Sequence, residues 1–122
     1  MSATAAQVWP TEIKLDAGKR VLTISFDDAT EFALPAELLR VMSPSAEVQG
    51  HSAEQRVTVG GKGGVGIRDV RPVGNYAIQI VFDDGHDTGF YRWAYLHDLG
   101  CHETEHWQRY LGELAAKGLG RG

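Results

Sequence analysis

The chain has little cysteine, no long apolar run and no excess of positive charge. Its single cysteine, Cys101, excludes an intramolecular disulfide. No apolar run approaches the length of about 20 residues that spans a bilayer, and the N-terminus lacks the basic start and apolar stretch of a signal peptide. The net charge of -4 argues against nonspecific binding to nucleic acid or anionic membranes. We therefore expect a cytoplasmic protein that binds neither.

The chain does contain enough apolar material for one core. Its 122 residues are 43% hydrophobic, which suffices for a single domain without metals or disulfides. We predict one domain over residues 1–122, with loose ends at 1–8 and 117–122.

A hairpin is predicted in the second half of the chain. Residues 76–82 alternate with a period of two, as expected of a strand with one face in a core. The sequence DDGH at 83–86 turns the chain, with Gly85 free to adopt a positive φ. Residues 88–93 are aromatic enough to return as a second strand.

The first half of the chain follows the same plan. Val21–Phe26 alternates as a strand, residues 27–30 form a turn, and residues 31–34 extend again. Pro35 is placed to start a helix over Ala36–Val41. This half is therefore predicted to contain a hairpin followed by a short helix.

A short sequence repeat links the two hairpins. The sequence ISFDD begins at Ile24 and recurs as IVFDD at Ile80, 56 residues later. We predict that residues 24–39 and 80–96 share the order strand, turn, strand and helix. The predicted fold class is α+β, a mainly antiparallel sheet built from hairpins, with short helices after the hairpins and a C-terminal amphipathic helix.

A zinc-peptidase motif occurs in the C-terminal helix. Residues 102–106 read HETEH, a match to HExxH, in which two histidines bind zinc and the glutamate acts as a general base. The extended motif needs glycine at Arg109 and histidine at Gly112, and neither is present. The predicted apolar face of the helix leaves both histidines toward solvent and consists of Trp107, Tyr110, Leu111 and Leu114. A zinc hydrolase at His102 and His106 is a distant alternative.

A glycine-rich segment resembles a nucleotide-binding loop. Residues 60–66 read GGKGGVG, but Ile67 and Arg68 stand where a phosphate loop needs lysine and a hydroxyl residue. We interpret the segment as a flexible hairpin loop before a strand at 67–73, with a further strand-like stretch at 56–59. The nearby basic residues are interpreted as a solvated loop and strand face; they are Arg56, Lys62, Arg68 and Arg71.

The acidic turn concentrates potential metal ligands. Asp83, Asp84, His86 and Asp87 place four such side chains within five residues. Aspartates beside a glycine are also ordinary turn formers. Cys101 is expected at a helix start, where the dipole lowers a thiol pKa, but no organised base is evident. The sequence therefore offers His86 as a metal candidate and no catalytic residue.

Several long motifs resemble a known family. They are PTEIKL (10–15), FALPAELLRVMSPSAEVQGH (32–51), the segment 73–93 and YLHDLG (95–100). Their order and spacing resemble the gamma-butyrobetaine hydroxylase-like N-terminal domain, found as small stand-alone bacterial proteins. The resemblance implies a structural zinc held by three cysteines and one histidine. The histidine corresponds to His86, whereas the cysteine positions fall on Ser43, Ser45 and Val48, so we expect no zinc cofactor.

We predict a non-catalytic module that binds an unidentified protein partner. Aromatic residues and arginine crowd the segment after the acidic turn, and strand alternation prevents them all from facing one core. Such residues frequently anchor protein interfaces. The predicted interaction residues are His86, Phe90, Arg92, Trp93 and Tyr95.

Two other interpretations of these residues remain open. Tyr91 and Trp93 can pack under the C-terminal helix against Trp107, which leaves only Phe90 and Arg92 outside. The alternative function is that of an accessory protein that handles a metal or an iron-sulfur cluster through the His86 turn.

Overall fold

The computed structural model describes residues 8–45, 48 and 57–121. The strands are β1 (Pro10–Leu15), β2 (Val21–Phe26), β3 (Glu31–Pro35), β4 (Ile67–Val73), β5 (Ala77–Phe82) and β6 (Phe90–Arg92), and the helices are α1 (Ala36–Val41), α2 (Trp93–Cys101) and α3 (Glu103–Ala116). None of the helices in this part of the chain has the length and apolar character of a membrane span.

The strands form two antiparallel sheets of three strands each, in the orders β1-β2-β3 and β4-β5-β6. Each sheet is followed by a helix, α1 in the first unit and α2 in the second. The predicted α+β class and the repeated order of strand, turn, strand and helix are confirmed. Each unit also contains a third strand, β1 in the first and β4 in the second, which lies outside the sequence repeat.

One core joins the two units. Alternate residues of β2 are fully buried, as expected of a strand with one face inside. The core cluster combines residues of both sheets with residues of all three helices, among them Leu22, Ile24, Ile80, Leu39, Leu96 and Tyr110. The predicted apolar face of α3 is confirmed, since Tyr110 and Leu114 are buried and Trp107 and Leu111 pack against the core. Burial of this shared core is the main stabilising contribution.

The central strand β5 departs from the predicted one-sided pattern. Ile78, Ile80 and Phe82 belong to the core, but Ala77 and Val81 on the opposite face are also buried. β5 is the central strand of its sheet, with β4 on one side and β6 on the other.

The second hairpin ends earlier than predicted. β6 stops at Arg92, and Trp93 begins α2 rather than completing the strand. The Trp93 indole N–H donates to the carbonyl of Asn75 at 3.0 Å, which turns the side chain back toward the β4–β5 turn. The predicted strand-like stretch at 56–59 is also absent over 57–59, and Arg56 lies outside the described residues.

The end of the chain, expected to be loose, contacts the glycine-rich loop and α1. The carbonyls of Gly120 and Arg121 accept hydrogen bonds from the N–H groups of Gly61 and Gly63. The Arg121 guanidinium donates to both carboxylate oxygens of Glu37, at 2.9 and 2.7 Å, although Glu37 is only 7% exposed. The last residues of the second unit therefore bind the helix of the first.

Candidate functional site

The acidic turn joins β5 to the strand that carries the predicted interaction residues. Gly85 has φ 92°, a left-handed conformation that glycine adopts without strain. The turn is closed by two hydrogen bonds, from Gly85 N–H to the Phe82 carbonyl at 3.1 Å and from Phe82 N–H to the His86 carbonyl at 2.9 Å. His86 is thereby directed inward and is only 9% exposed.

His86 meets the segment after α1 in a buried polar cluster. Its Nε2 lies 2.9 Å from the Ser43 hydroxyl. The Ser43 hydroxyl also accepts from the Ser45 N–H at 3.2 Å, and the Ser45 hydroxyl lies 2.8 Å from that of Thr88. Val48, also buried, donates its N–H to the Ser45 carbonyl. Two segments more than 40 residues apart are thus held together by hydroxyl and imidazole groups.

Asp84 forms the second connection between the units. Its carboxylate accepts from Arg40 at 2.8 Å, from Lys62 at 2.7 Å and from the His86 N–H at 3.0 Å. Burial alone would raise the pKa of Asp84, but the bonds from Lys62, the His86 N–H and Arg40 together hold it well below its ordinary value. The side chain therefore remains ionised at neutral pH and belongs to an ion-pair network.

The predicted interaction residues separate into exposed and partly buried ones. Phe90 is 50% exposed, and Arg92 lies over the ring of Tyr76 at 5.0 Å. Between them Tyr91 is fully buried, with its hydroxyl 2.5 Å from the Leu39 carbonyl. Tyr95 is partly buried and donates its hydroxyl to the Met42 carbonyl.

Register places the exposed residues on one face of the second sheet. Phe90 pairs with Gln79, which pairs with Arg71, so these three share a face. Arg92 pairs with Ala77 on the same face. We call this surface the outer face; it consists of Arg71, Gln79, Phe90 and Arg92 together with the adjacent Tyr76. Sequence reasoning missed Tyr76 because it was assigned to the strand.

The chain matches the model of the gamma-butyrobetaine hydroxylase-like N-terminal domain over residues 13–97. It belongs to this family. A comparison with curated protein sequences gives no significant match.

Solved structures of similar chains are also found. One structure determined by NMR in solution is 46% identical with a TM-score of 0.82, and the match covers 99% of this chain and 90% of the other. A second NMR structure is 44% identical with a TM-score of 0.80, and the match covers 93% of this chain and 89% of the other. A crystal structure from Acidithiobacillus ferrooxidans, described as a protein of unknown function of the DUF971 family, is 31% identical with a TM-score of 0.58. That match covers 82% of this chain and 98% of the other. The similarity therefore extends over most of the chain and includes a protein of unknown function.

The zinc that the family resemblance implies does not fit the residues present. Ser43, Ser45 and His86 are linked in one cluster, and Val48 is bonded to it through its backbone. Two hydroxyls and an isopropyl group replace three thiolates, and the imidazole nitrogen already lies within hydrogen-bond distance of Ser43. Across the described ranges, no group of three His, Cys, Asp or Glu side chains is arranged to hold a metal ion.

The HExxH residues of this gamma-butyrobetaine hydroxylase-like domain interact with nearby carboxylates. His102 precedes α3, which begins at Glu103, and its Nδ1 lies 3.0 Å from Glu105. His106 Nε2 lies 3.0 Å from Asp98 of α2. The motif begins at the junction between α2 and α3 and continues into α3, and the contact of His106 with Asp98 connects α3 to α2.

The structure also places the glycine-rich segment and Cys101. The glycine-rich segment precedes strand β4, as predicted, so no helix N-terminus follows it. Cys101 was predicted at a helix start, but it is the last residue of α2, and partial burial together with Asp28 and Asp98 raises the pKa of its thiol.

An ordered base does lie beside Cys101, contrary to the sequence interpretation. Its sulfur is 3.5 Å from His97 Nδ1, and His97 Nε2 is 2.8 Å from Asp28. Phe26 and Phe32 pack edge-on against the imidazole. His97 lies four residues before Cys101 on one helix face, a spacing that could have indicated this contact.

Proposed function

We propose that this domain is a non-catalytic module that binds a protein partner through the outer face. The observation that carries the proposal is the pair formed by Phe90, half exposed on β6, and Arg92, stacked on Tyr76. Aromatic residues and arginine supply most of the affinity in many protein interfaces. Aromatic rings bury large areas at little entropic cost, and the guanidinium group forms several hydrogen bonds and stacks on rings.

The charges of the outer face favour an acidic partner. Within the described residues, Arg92 has the Tyr76 ring as a neighbour and no carboxylate partner. Arg71, two strands away, is paired with Asp69 at 2.9 Å. A partner segment that presents a carboxylate to Arg92 and an apolar side chain to Phe90 would complement both groups.

The other predicted interaction residues support the surface from beneath. His86 is buried against Ser43, and Trp93 and Tyr95 hydrogen-bond to backbone carbonyls. We propose that they orient the β5–β6 hairpin and that direct contact is made by Phe90, Arg92 and Tyr76.

A binding experiment tests this location. Cross-linked pull-downs are carried out with wild type, with a Phe90→Ala/Arg92→Ala variant and with a Lys14→Ala control. They identify proteins that bind wild type and the control but are lost with the double variant. Lys14 lies on the other sheet and is exposed, so the control removes one positive charge elsewhere. Affinities are then measured with the purified partner by calorimetry, after melting curves show that all variants fold.

We expect the double variant to bind at least about tenfold more weakly, because interface anchors each contribute more than about 1 kcal/mol. Lys14→Ala should bind as wild type does. Equal affinity of wild type and the double variant for the partner, or equal loss in the control, would exclude the outer face.

We also propose that the domain folds without zinc, with the Ser43–His86 cluster in place of metal bonds. Protein purified without a histidine tag should contain far less than one equivalent of zinc by mass spectrometry of metals. Its melting temperature should not change with a chelator. One equivalent of tightly held zinc, with a lower melting temperature after chelation, would contradict the proposal and favour the metal-handling alternative.

A further inference from the structure

A groove of about 490 Å³ opens between the two sheets on the side of their first strands, β1 and β4. The inner-face residues Ile13 and Leu15 of β1 pair with Ile24 and Leu22, and Val70 and Pro72 of β4 pair with Ile80 and Ile78. The buried side chains of Leu22 and Ile78 form the floor. The groove is therefore an opening of the apolar core to the surface, on the opposite side of the second sheet from the outer face.

Two cations lie together at one end of this groove. The Lys19 carbonyl accepts a hydrogen bond from the Ile67 N–H at 2.8 Å, which places the β1–β2 turn beside the start of β4. Arg68, the next residue, is the extra residue of a β-bulge between Ile67 and Asp69, and its side chain lines the groove with that of Lys19. Bulges commonly redirect a side chain in this way.

No carboxylate in the described part of the chain is hydrogen-bonded to the side chain of either cation. Asp69, the nearest carboxylate in the groove, already accepts from Arg71 and from the Val70 N–H, each at 2.9 Å. Among the described residues, the side chains of Lys19 and Arg68 form no hydrogen bond and no close ion pair, although the charge of Lys19 helps to lower the pKa of Asp69. The charged residues that line the groove are Lys19, Arg68 and Asp69, so its lining has a net charge of +1, although the whole chain carries -4.

The edge strand beside the groove is unsuited to pairing with a further strand. Pro72 has no N–H to donate, and the bulge at Arg68 interrupts the regular ladder. Recognition in the groove would therefore come from side chains rather than from added backbone pairing. The volume falls within the range of about 300–1,000 Å³ that is usual for small-molecule sites.

We propose that this groove binds a small amphipathic carboxylate, with its apolar body on Leu22, Val70 and Ile78 and its carboxylate at Lys19 and Arg68. This inference does not rest on the proposed protein-binding function, because the groove and the outer face lie on opposite sides of the second sheet.

Titration of ¹⁵N-labelled protein with decanoate, below its micelle concentration, tests the inference. We expect saturable amide shifts at residues of β1, β4 and β5 that line the groove. Decyltrimethylammonium, with the same chain length and opposite charge, should bind at least several-fold more weakly. The Phe90→Ala/Arg92→Ala variant should bind decanoate as wild type does.

Two charge variants separate the head-group contact from general electrostatics. Lys19→Gln/Arg68→Gln should weaken decanoate binding by about tenfold, because both cationic contacts to the head group are lost. Lys14→Gln/Lys117→Gln removes the same charge elsewhere and should change little. All four residues are exposed, and melting curves check the fold.

Three outcomes would overturn the inference. They are the absence of saturable groove shifts at millimolar decanoate, equal binding of the cationic detergent, and an equal loss of affinity in both charge variants. The Val70→Phe substitution adds a steric check, because a filled groove should lose decanoate binding whatever the charge of the head group.

Discussion

Asp84 shows how a turn residue can become a structural contact between distant segments. Turn formation alone accounts for an aspartate at this position of the DDGH turn. Its carboxylate, however, also binds Arg40 of α1 and Lys62 of the glycine-rich loop. The side chain is 18% exposed, so these bonds are partly shielded from solvent.

Substitution Asp84→Asn should lower the free energy of unfolding by about 2 kcal/mol at pH 7, because hydrogen bonds to a charged group are lost. The pKa of Asp84 is lower in the folded state than its ordinary value of 3.8. Its contribution is therefore complete well above pH 4 and is lost as the pH falls below that value. Urea denaturation of both proteins from pH 7 to pH 2.5 should show the difference shrinking.

Asp87→Asn, an exposed position in the same turn, is the matched control and should change stability by less than about 0.5 kcal/mol. A difference between wild type and Asp84→Asn that does not vary with pH would show that ionisation of this carboxylate is unimportant.

At the scale of elements, two glycines in neighbouring helices have opposite roles. Gly100 of α2 packs against Phe32, and a Cβ added there would overlap the phenyl ring. Gly112 of α3 has open space around its missing side chain. Glycine is therefore required for packing in the first helix and only weakens the second.

The same substitution should consequently have opposite effects at the two positions. Gly100→Ala should destabilise the protein by about 2 kcal/mol through overpacking, whereas Gly112→Ala should stabilise it by about 0.5–1 kcal/mol through helix propensity. Chemical denaturation measures both. A Gly100→Ala protein as stable as wild type would mean that α2 can move away from Phe32 at little cost.

The elements were predictable where neighbouring residues determine them. The strand Val21–Phe26 has the predicted bounds because its own alternating residues determine it. The helix Ala36–Val41 has the predicted bounds because Pro35, directly before it, favours a helix start. The long-range contacts of the site do not follow from neighbouring residues. The proximity of Ser43 and His86, 43 residues apart, was implied only by the family resemblance, and the contact of Arg40 with Asp84 across 44 residues was not predicted. These contacts depend on how the two units pack, which local patterns do not specify. The inward direction of His86 has the same origin.

At the scale of the whole molecule, the C-terminal segment connects the two units. Arg121 and Glu37 are 84 residues apart in sequence and form two hydrogen bonds. Glu37 is buried, whereas the Arg121 side chain is 55% exposed and its attraction is screened by solvent.

Arg121→Gln should therefore lower the melting temperature, chiefly because a buried carboxylate loses its partner. Exposed Lys117→Gln, four residues earlier, should have almost no effect. A double-mutant cycle with Glu37→Gln, read by thermal unfolding, measures the coupling. Additive effects of the two substitutions would indicate that the pair does not interact in solution.

The division into two similar units has a consequence for synthesis on the ribosome. Strands of the first unit leave the exit tunnel while the second unit, which begins its repeat 56 residues later, has yet to be made. At about 5–20 residues per second, that delay is roughly 3–11 s. Throughout it, Leu22, Ile24 and Leu34 lack the core residues that the second unit contributes in the folded protein. We therefore expect the nascent chain to expose this apolar surface at mid-length, where a chaperone that binds apolar segments would protect it from aggregation.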